Sequence, residues 1–319
     1  MDALYGYGLY AISLLTMGGI YAVLCLGLNV QWGFAGLFNA GIGGFFAIGA
    51  YVTALLTTAP SARHIGGFEI NTLVAYACSM VAAGLIAWGV GKVCLRLRSD
   101  YLAIATIGAA EVVRLIFKNE TDYTNGPRGV SAIPKPFETL PEPWNHVAFL
   151  AIVLVAVGLA FWALQIAQRA PWGRVMTAIR ENEPAVRAAG KDVEQFRMEG
   201  FVLGAMLMGL AGAFMAQYLK FVDPNVSDPL TATFLVWVML VVGGSANNKG
   251  AVLGALLIWT LWSASEIVTG RLPDDWAVRT AYVRIFLIGL MLQIFLQKYP
   301  LGIFPEQRPK PPRSTRESA

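Results

Sequence analysis

The sequence predicts an all-α, polytopic membrane protein of about nine (eight to ten) transmembrane helices, with the N-terminus outside and the C-terminus inside. Three observations carry that expectation. Of 319 residues, 56% are hydrophobic and only 14% charged, with a mean hydropathy of +0.56, whereas soluble domains run at about a quarter charged. The stretch from Ala3 to Ala62 holds no Asp, Glu, Lys or Arg, and its length is enough for two crossings at about 20 residues each. Thirty-three glycines and nine tryptophans suit helices that pack closely in lipid and anchor at its interfaces.

In chain order, the first apolar run covers 8–30. The second, 36–58, is rich in glycine (36, 41, 43, 44, 49) and predicts either one crossing or a broken or re-entrant helix, hence the range of eight to ten. Runs 70–91 and 101–117 flank the basic cluster Lys92, Arg96 and Arg98. Residues 118–145 carry five prolines and mixed charge, which predicts a structured outer loop or cap. The fifth run is 146–167, followed by a charged loop, 168–199. Run 200–221 contains Gly200-x-x-x-Gly204, Ala205-x-x-x-Gly209 and Gly212-x-x-x-Ala216, small-residue spacings that let helices approach closely within the chain or against a second subunit. Runs 230–246, 250–267 and 281–297 complete a transmembrane domain over 1–300. Residues 301–319 form a basic, proline-rich tail of disordered composition.

Charge sets the sidedness. Alternating the runs gathers 31–35, 92–100, 168–199, 247–249 and 298–319 on one face, with 15 of the 24 basic residues. That face carries a net +7 against −3 opposite, and the positive-inside bias makes it cytoplasmic. The small-residue spacing after Asn39 is echoed after Asn248, a faint internal repeat of the kind that builds pseudo-symmetric transporters. Two glycine-rich spans in one membrane chain also produce such an echo by coincidence.

Catalytic chemistry finds no footing. The two histidines, His64 and His146, lie far apart at loop ends without convergent Asp, Glu or Cys, so no metal or acid–base site is expected. Cys25, Cys78 and Cys94 have no disulfide or metal spacing and read as small apolar residues. No P-loop spacing occurs, so the chain holds no ATP itself. The basic pI near 9.0 follows from topology and does not point to nucleic acid. Ionisable residues inside spans reduce to Glu111, Arg114, Glu266 and Arg284. Glu111 and Arg114, three apart on one helix, are placed to neutralise each other, as a structural pair or as a contact to solute. Among polar groups of the charge-free region, Asn29, Gln31 and Asn39, with Gly41 and Gly43, are candidates to line a pathway; the same amides also suit hydrogen bonds between helices.

Loop 168–199 has internal punctuation. Arg174 to Glu181 reads as helix, Pro184 as the first turn of a new short helix, Gly190 as its stop and Asp192 as the cap of the next. The short helix presents Ala185, Ala188 and Ala189 on a small-residue surface, with Arg187 on another face, a shape suited to a groove in another protein.

These residues resemble a known family. Arg174-Val-Met-Thr-Ala-Ile-Arg-Glu-Asn-Glu-Pro-Ala-Val-Arg-Ala-Ala-Gly190, followed by Phe201-Val-Leu-Gly-Ala-Met-Leu-Met-Gly-Leu-Ala-Gly-Ala213, resembles the coupling loop and next span of ABC-transporter permeases, specifically the M-type subunit of the branched-chain amino-acid importer family. The blocks Leu95-Arg-Leu-Arg-Ser-Asp-Tyr-Leu-Ala-Ile-Ala-Thr-Ile-Gly108 with Glu111-Val-Val-Arg114, Asn125-Gly-Pro-Arg-Gly129, Val242-Gly-Gly-Ser245 and Gly250-Ala-Val-Leu-Gly-Ala255 agree, over about residues 20–300. The resemblance implies a non-enzymatic permease in a bacterial inner membrane. It would pair with a second related permease, two ABC ATPase subunits that bind ATP and Mg, and a periplasmic solute-binding protein. Ala178, Arg180, Glu181, Glu183, Ala185, Arg187, Ala188, Ala189 and Gly190 would then couple to the ATPase. One segment departs from the family pattern Gly-Gln-x-Ser-Leu-Gly-His-Gly-Ala-Phe: here Asn39 replaces the Ser and Ile42 the His. Branched-chain or other neutral amino acids are the expected solutes, urea or short amides the alternative. A stand-alone secondary carrier is the competing class.

Overall fold

The computed structural model describes residues 2–61, 65–97, 99–269, 277–299 and 301–306. Arg63, His64, Arg98, Arg271 and the tail from 307 lie outside the described residues, as do the side chains of Arg279 and Arg284.

Helix α1 (Asp2–Leu28) runs into a π-helical turn, Asn29–Phe34, and after an irregular stretch at 35–41 the chain enters α2 (Ile42–Thr57). Then come α3 (Thr72–Cys94), α4 (Ser99–Asn119) and the single turn α5 (Thr121–Thr124). Strand β1 (Val130–Ser131) precedes α6 (Trp144–Arg169), α7 (Pro171–Ala188) and α8 (Val193–Leu219). Strand β2 (Phe221–Val222) pairs antiparallel with β1, Val130 opposite Val222. A second π-helical turn, Leu230–Phe234, leads into α9 (Leu235–Gly243), then α10 (Asn248–Thr269) and α11 (Ala277–Lys298).

Among the described residues, four helices are long and apolar enough to cross a membrane: Tyr5–Phe34, Thr72–Cys94, Trp144–Arg169 and Val193–Leu219. Two more, Ile42–Thr57 and Leu230–Gly243, are apolar but shorter. The run expected at 36–58 is helical only from Ile42. Its 16 residues span about 24 Å at 1.5 Å per residue, less than a hydrocarbon core of about 30 Å. The broken-helix alternative is the observed one. Gly36 at φ +68° turns the chain out of the helix, and the backbone that follows is satisfied locally, Leu37 N donating to Gln31 O at 2.8 Å and Gly41 N to Asn39 Oδ1 at 2.8 Å.

A helix that is apolar all round belongs in the interior. The second half of α1, residues 18–31, is buried throughout, packed among α6, α8 and α10, while α8 also packs on α2 and α3. Small residues set the α2–α8 crossing: a Cβ placed on Gly49 would lie 1.9 Å from the Gly209 carbonyl oxygen. The outward faces of α3 and α6 are apolar as well, with Leu73, Val81, Leu85, Val155, Leu159 and Trp162 exposed, as lipid contact requires.

The loops sort to two ends. One gathers residues 31–36, 92–97, 168–199, 244–249 and 301–306: Gln168 Nε2 donates to Ala246 O at 2.8 Å, Asn247 Nδ2 to Pro305 O at 3.2 Å, and Arg96 lies 3.8 Å from Glu194. The other gathers 65–67, 118–145 and 220–229: Ile65 N donates to Asp122 O at 2.6 Å and Ile133 N to Lys220 O at 3.3 Å. Residues 301–306, expected to belong to a disordered tail, are instead tied to the end of α9: Ile303 N donates to Val242 O and Phe304 N to Gly243 O, at 2.9 and 3.0 Å.

Candidate functional site

Helix α7 is fastened along one side. Gly173, Met176 and Ile179 are buried at helical spacing, and Trp172 Nε1 donates to Glu199 Oε2 at 2.8 Å. The backbone leaves helical geometry at Asn182 (φ −153°, ψ 84°) and resumes it directly after, with Asn182 Oδ1 accepting from Ala185 N at 3.1 Å and Pro184 in the first turn. Gly190 at φ +77° ends this short helix, and Asp192 caps α8 by accepting from Gln195 N at 3.1 Å. The two helices with a glycine stop read from the sequence are observed, with Pro184, Gly190 and Asp192 in the expected roles and the first helix starting at Pro171 rather than Arg174.

The coupling candidates split into two groups. Ala178, Glu181, Ala185, Arg187, Ala188, Ala189 and Gly190 are exposed. Glu183 is half-buried and holds the short helix from beneath, accepting from Arg187 at 2.9 Å and from Arg197 at 3.3 Å. Arg180 turns inward: it donates to the Gly33 carbonyl and, at 2.8 Å to each oxygen, to the carboxylate of Glu306. Sequence patterning carried no signal for Glu306.

The pathway candidates are fully buried and partnered. Asn29 Nδ2 donates to Asn248 Oδ1 at 2.9 Å while its Oδ1 accepts from Ala246 N at 2.8 Å. Asn39 Nδ2 donates to Gln31 Oε1 at 2.7 Å, and Gln31 Nε2 to Phe201 O at 2.7 Å. These amides knit the broken end of α1 to α8 and α10, as buried polar groups demand. Gly41 packs too tightly against the Thr106 carbonyl for a side chain. Gly43 lines a sizeable cavity, and Gly41 borders only a much smaller one beside Thr106.

That cavity, of about 440 Å³, lies between the start of α2, α4 and residues 227–237. Phe38, Ile107, Phe234 and Trp237 supply apolar wall; Glu111, Arg114, Ser227 and Thr233 supply polar groups. Trp237 packs edge-on to Trp32 (5.4 Å between centroids) and against Phe38 (4.6 Å), and its Nε1 donates to Asn39 O at 3.1 Å. The Arg114 Nε and Nη2 donate to Glu111 Oε2 and Oε1 at 2.8 and 2.6 Å. Sequence reasoning identified the pair but not the cavity, whose other walls come from residues 38–43 and from 227–237, far from the pair along the chain in both directions.

At the opposite end, Lys135 is only 8% exposed, with its ammonium over the Phe149 ring at 4.7 Å. Burial lowers its pKa, and the Lys220 charge lowers it further. Glu138 accepts from Lys220 Nζ at 2.5 Å and from Lys135 N at 3.3 Å, and these bonds hold its carboxyl below the usual range. Among the described residues no cluster of three metal-ligating side chains occurs.

A bundle with apolar outer faces, a broken helical segment behind an aromatic-walled cavity, and a helix fastened across one end is the build of a multi-pass membrane protein. Comparison with known proteins narrows the class. Residues 10–295 match the family described as "Branched-chain amino acid transport system / permease component". The chain is 34% identical to the high-affinity branched-chain amino acid transport system permease protein LivM of Escherichia coli K12, over 95% of this chain and 71% of that protein. It is 25% identical to the probable LivM of Methanocaldococcus jannaschii, over 91% of each, and 25% identical to LivH of E. coli K12, over 87% of this chain and 91% of that protein. No solved structure matches. The chain belongs to the branched-chain amino acid transport permease family, M-type.

Proposed function

We propose that this chain, with a second related permease, forms the membrane passage of an ATP-driven, binding-protein-dependent importer of branched-chain or other neutral amino acids in a bacterial inner membrane. The face that holds α7 carries 15 of the 24 basic residues, and the positive-inside bias makes it cytoplasmic, with the N-terminus outside. The pairing is supported by the likeness to both LivM and LivH, two permease proteins named for one transport system. ATP and Mg are held by two partner ATPase subunits, and a periplasmic binding protein delivers solute to the opposite end, where residues 118–145 stand. The glycine-rich segments before α2 and at the start of α10 form a repeat around this passage.

One observation carries the coupling role: the exposed Ala185, Ala188, Ala189 and Gly190 stand on a short helix braced from below by Glu183. A partner seated there moves α7, and Arg180 passes that motion to the Gly33 carbonyl and so to the broken segment beside the Trp32, Phe38 and Trp237 rings. Conversion between inward- and outward-open states needs such a differential contact.

The test is reconstitution in liposomes with the partner subunits and binding protein. ATP-dependent leucine uptake is expected. Uptake by this chain alone without ATP, or uptake of urea in preference to leucine, overturns the reading. Cysteines placed at Ala189 and Thr139 in intact cells separate the two ends: an impermeant thiol reagent should label T139C and spare A189C.

A further inference from the structure

We propose that the cavity between α2, α4 and residues 227–237 is a subsite for the solute, in which Glu111 and Arg114 together recognise the charged ends of a zwitterionic, apolar α-amino acid. This rests on the transport reading above and deepens it.

The position of the ion pair is the first argument. Glu111 and Arg114 sit about 12 Å and about 7.5 Å in from the Asn119 end of α4, at 1.5 Å per residue. Their side chains are 43% and 31% exposed, on a helix whose neighbouring outward residues are Ile107, Val112 and Leu115. A half-exposed ion pair at that depth is too costly to face hydrocarbon. It therefore faces a watered passage or the seam with the second permease.

The valence of the pair is the second. The bidentate contact uses two of the five N–H donors of Arg114 and leaves lone pairs free on both Glu111 oxygens. A carboxylate can take the remaining guanidinium donors while an ammonium on the adjacent carbon donates to Glu111. The site is neutral as a unit, so a zwitterion enters without adding net charge to a low-dielectric region, whereas a cationic or anionic amino acid leaves one charge uncompensated. Urea and simple amides carry no ionic groups and gain nothing from the pair beyond ordinary hydrogen bonds.

The walls are the third. Phe38 and Trp237 are fixed against each other and Trp237 is pinned by its bond to Asn39 O, which gives an apolar side chain a preformed surface. Thr233 Oγ1 accepts from Gly43 N at 3.2 Å, which fixes this hydroxyl at the cavity wall. The volume of about 440 Å³ falls in the range of small-molecule sites, about 300–1,000 Å³.

The deciding experiment uses the full importer complex in proteoliposomes, with leucine as probe. The double variant Glu111→Gln/Arg114→Gln leaves polar, hydrogen-bonding side chains at both positions and removes both charges. Leucine uptake should fall by roughly ten- to a hundredfold, the worth of charge-assisted hydrogen bonds, while the variant still co-purifies with the ATPase subunits. Ile107→Trp, which narrows the cavity from its exposed rim, should depress leucine uptake more than alanine uptake. Leucine uptake within twofold of wild type in the double variant, with unchanged leucine-to-alanine selectivity in Ile107→Trp, overturns the subsite. If the double variant does not assemble, the selectivity of Ile107→Trp decides alone. Failure of the wild-type complex to import any amino acid instead removes the transport reading, so the two failures are distinguishable.

Discussion

Arg180 and Glu306, 126 positions apart in the chain, meet in a two-point contact, with the Arg180 Nη2 at 2.8 Å from both carboxylate oxygens. The same guanidinium donates to the carbonyl of Gly33. Three segments that share no local sequence are thus joined at one side chain: the helix proposed to receive the ATPase, the break after α1, and the turn after α11.

Removing that joint should loosen coupling. Arg180→Ala leaves Glu306 and the Gly33 carbonyl without their donor, a loss of about 1–3 kcal/mol for charge-assisted bonds. We expect ATP hydrolysed per leucine imported to rise several-fold. Arg180→Lys should recover only part of the coupling, because an ammonium lacks the planar fork. Stoichiometry measured in proteoliposomes checks both, and an unchanged ratio in Arg180→Ala refutes the strut.

Bulk on the exposed short helix should act differently. Ala188→Leu places a larger side chain on a surface that no described residue covers, so folding should be unaffected while ATPase docking and uptake fall. Gly190→Val adds a conformational penalty of about 1–3 kcal/mol for a positive φ. Membrane insertion with loss of co-purifying ATPase is the expected result for Ala188→Leu. Unchanged transport in both variants would remove the docking surface.

The α2–α8 crossing offers a stability test remote from either site. Gly49→Leu must push its Cβ through the Gly209 carbonyl, which would lie 1.9 Å away. Overpacking of this kind costs about 1–3 kcal/mol or more. A fall of several degrees in Tm in detergent is expected. A Tm equal to wild type would mean that the two helices separate freely.

Glu138 supplies a pH dependence at the opposite end. Its folded pKa is lowered by Lys220 and by the Lys135 amide. Its stabilising contribution is therefore complete above the ordinary glutamate range and is lost as pH falls through the lowered value. Because the Glu138–Lys220 side chains are about half exposed, the effect is small, under about 1 kcal/mol. Amide protection across 130–138, taken relative to the intrinsic exchange rate at each pH, should fall in acid in the wild type. In Glu138→Gln the acid step should vanish.

Much of this was legible in the sequence because membrane helices announce themselves by composition. The runs at 70–91 and 146–167 reappear as α3 and α6 within a few residues. The punctuation of 168–199 was readable for another reason: Pro184, Gly190 and Asp192 each act on the backbone beside them. The π-helical turn at Asn29–Phe34 was invisible, since Leu28, Val30, Trp32 and Phe34 are as apolar as a continuous helix. For Asn29, Gln31 and Asn39 the sequence left a pathway role and hydrogen bonds between helices both open, because polarity in a charge-free region shows only that a partner exists, and the partners Asn248 and Phe201 come from distant helices. Glu111 was found by its depth, but the cavity beside it needed Trp237 and Thr233 to arrive from the other half of the chain.

The contact between Arg180 and Glu306 also orders events during synthesis. At about 5–20 residues per second, Glu306 leaves the ribosome roughly 6–25 s after Arg180. Throughout that interval α7 is exposed to the cell without its lock. A nascent chain thus displays the surface proposed for the ATPase before the joint proposed to relay its motion can close.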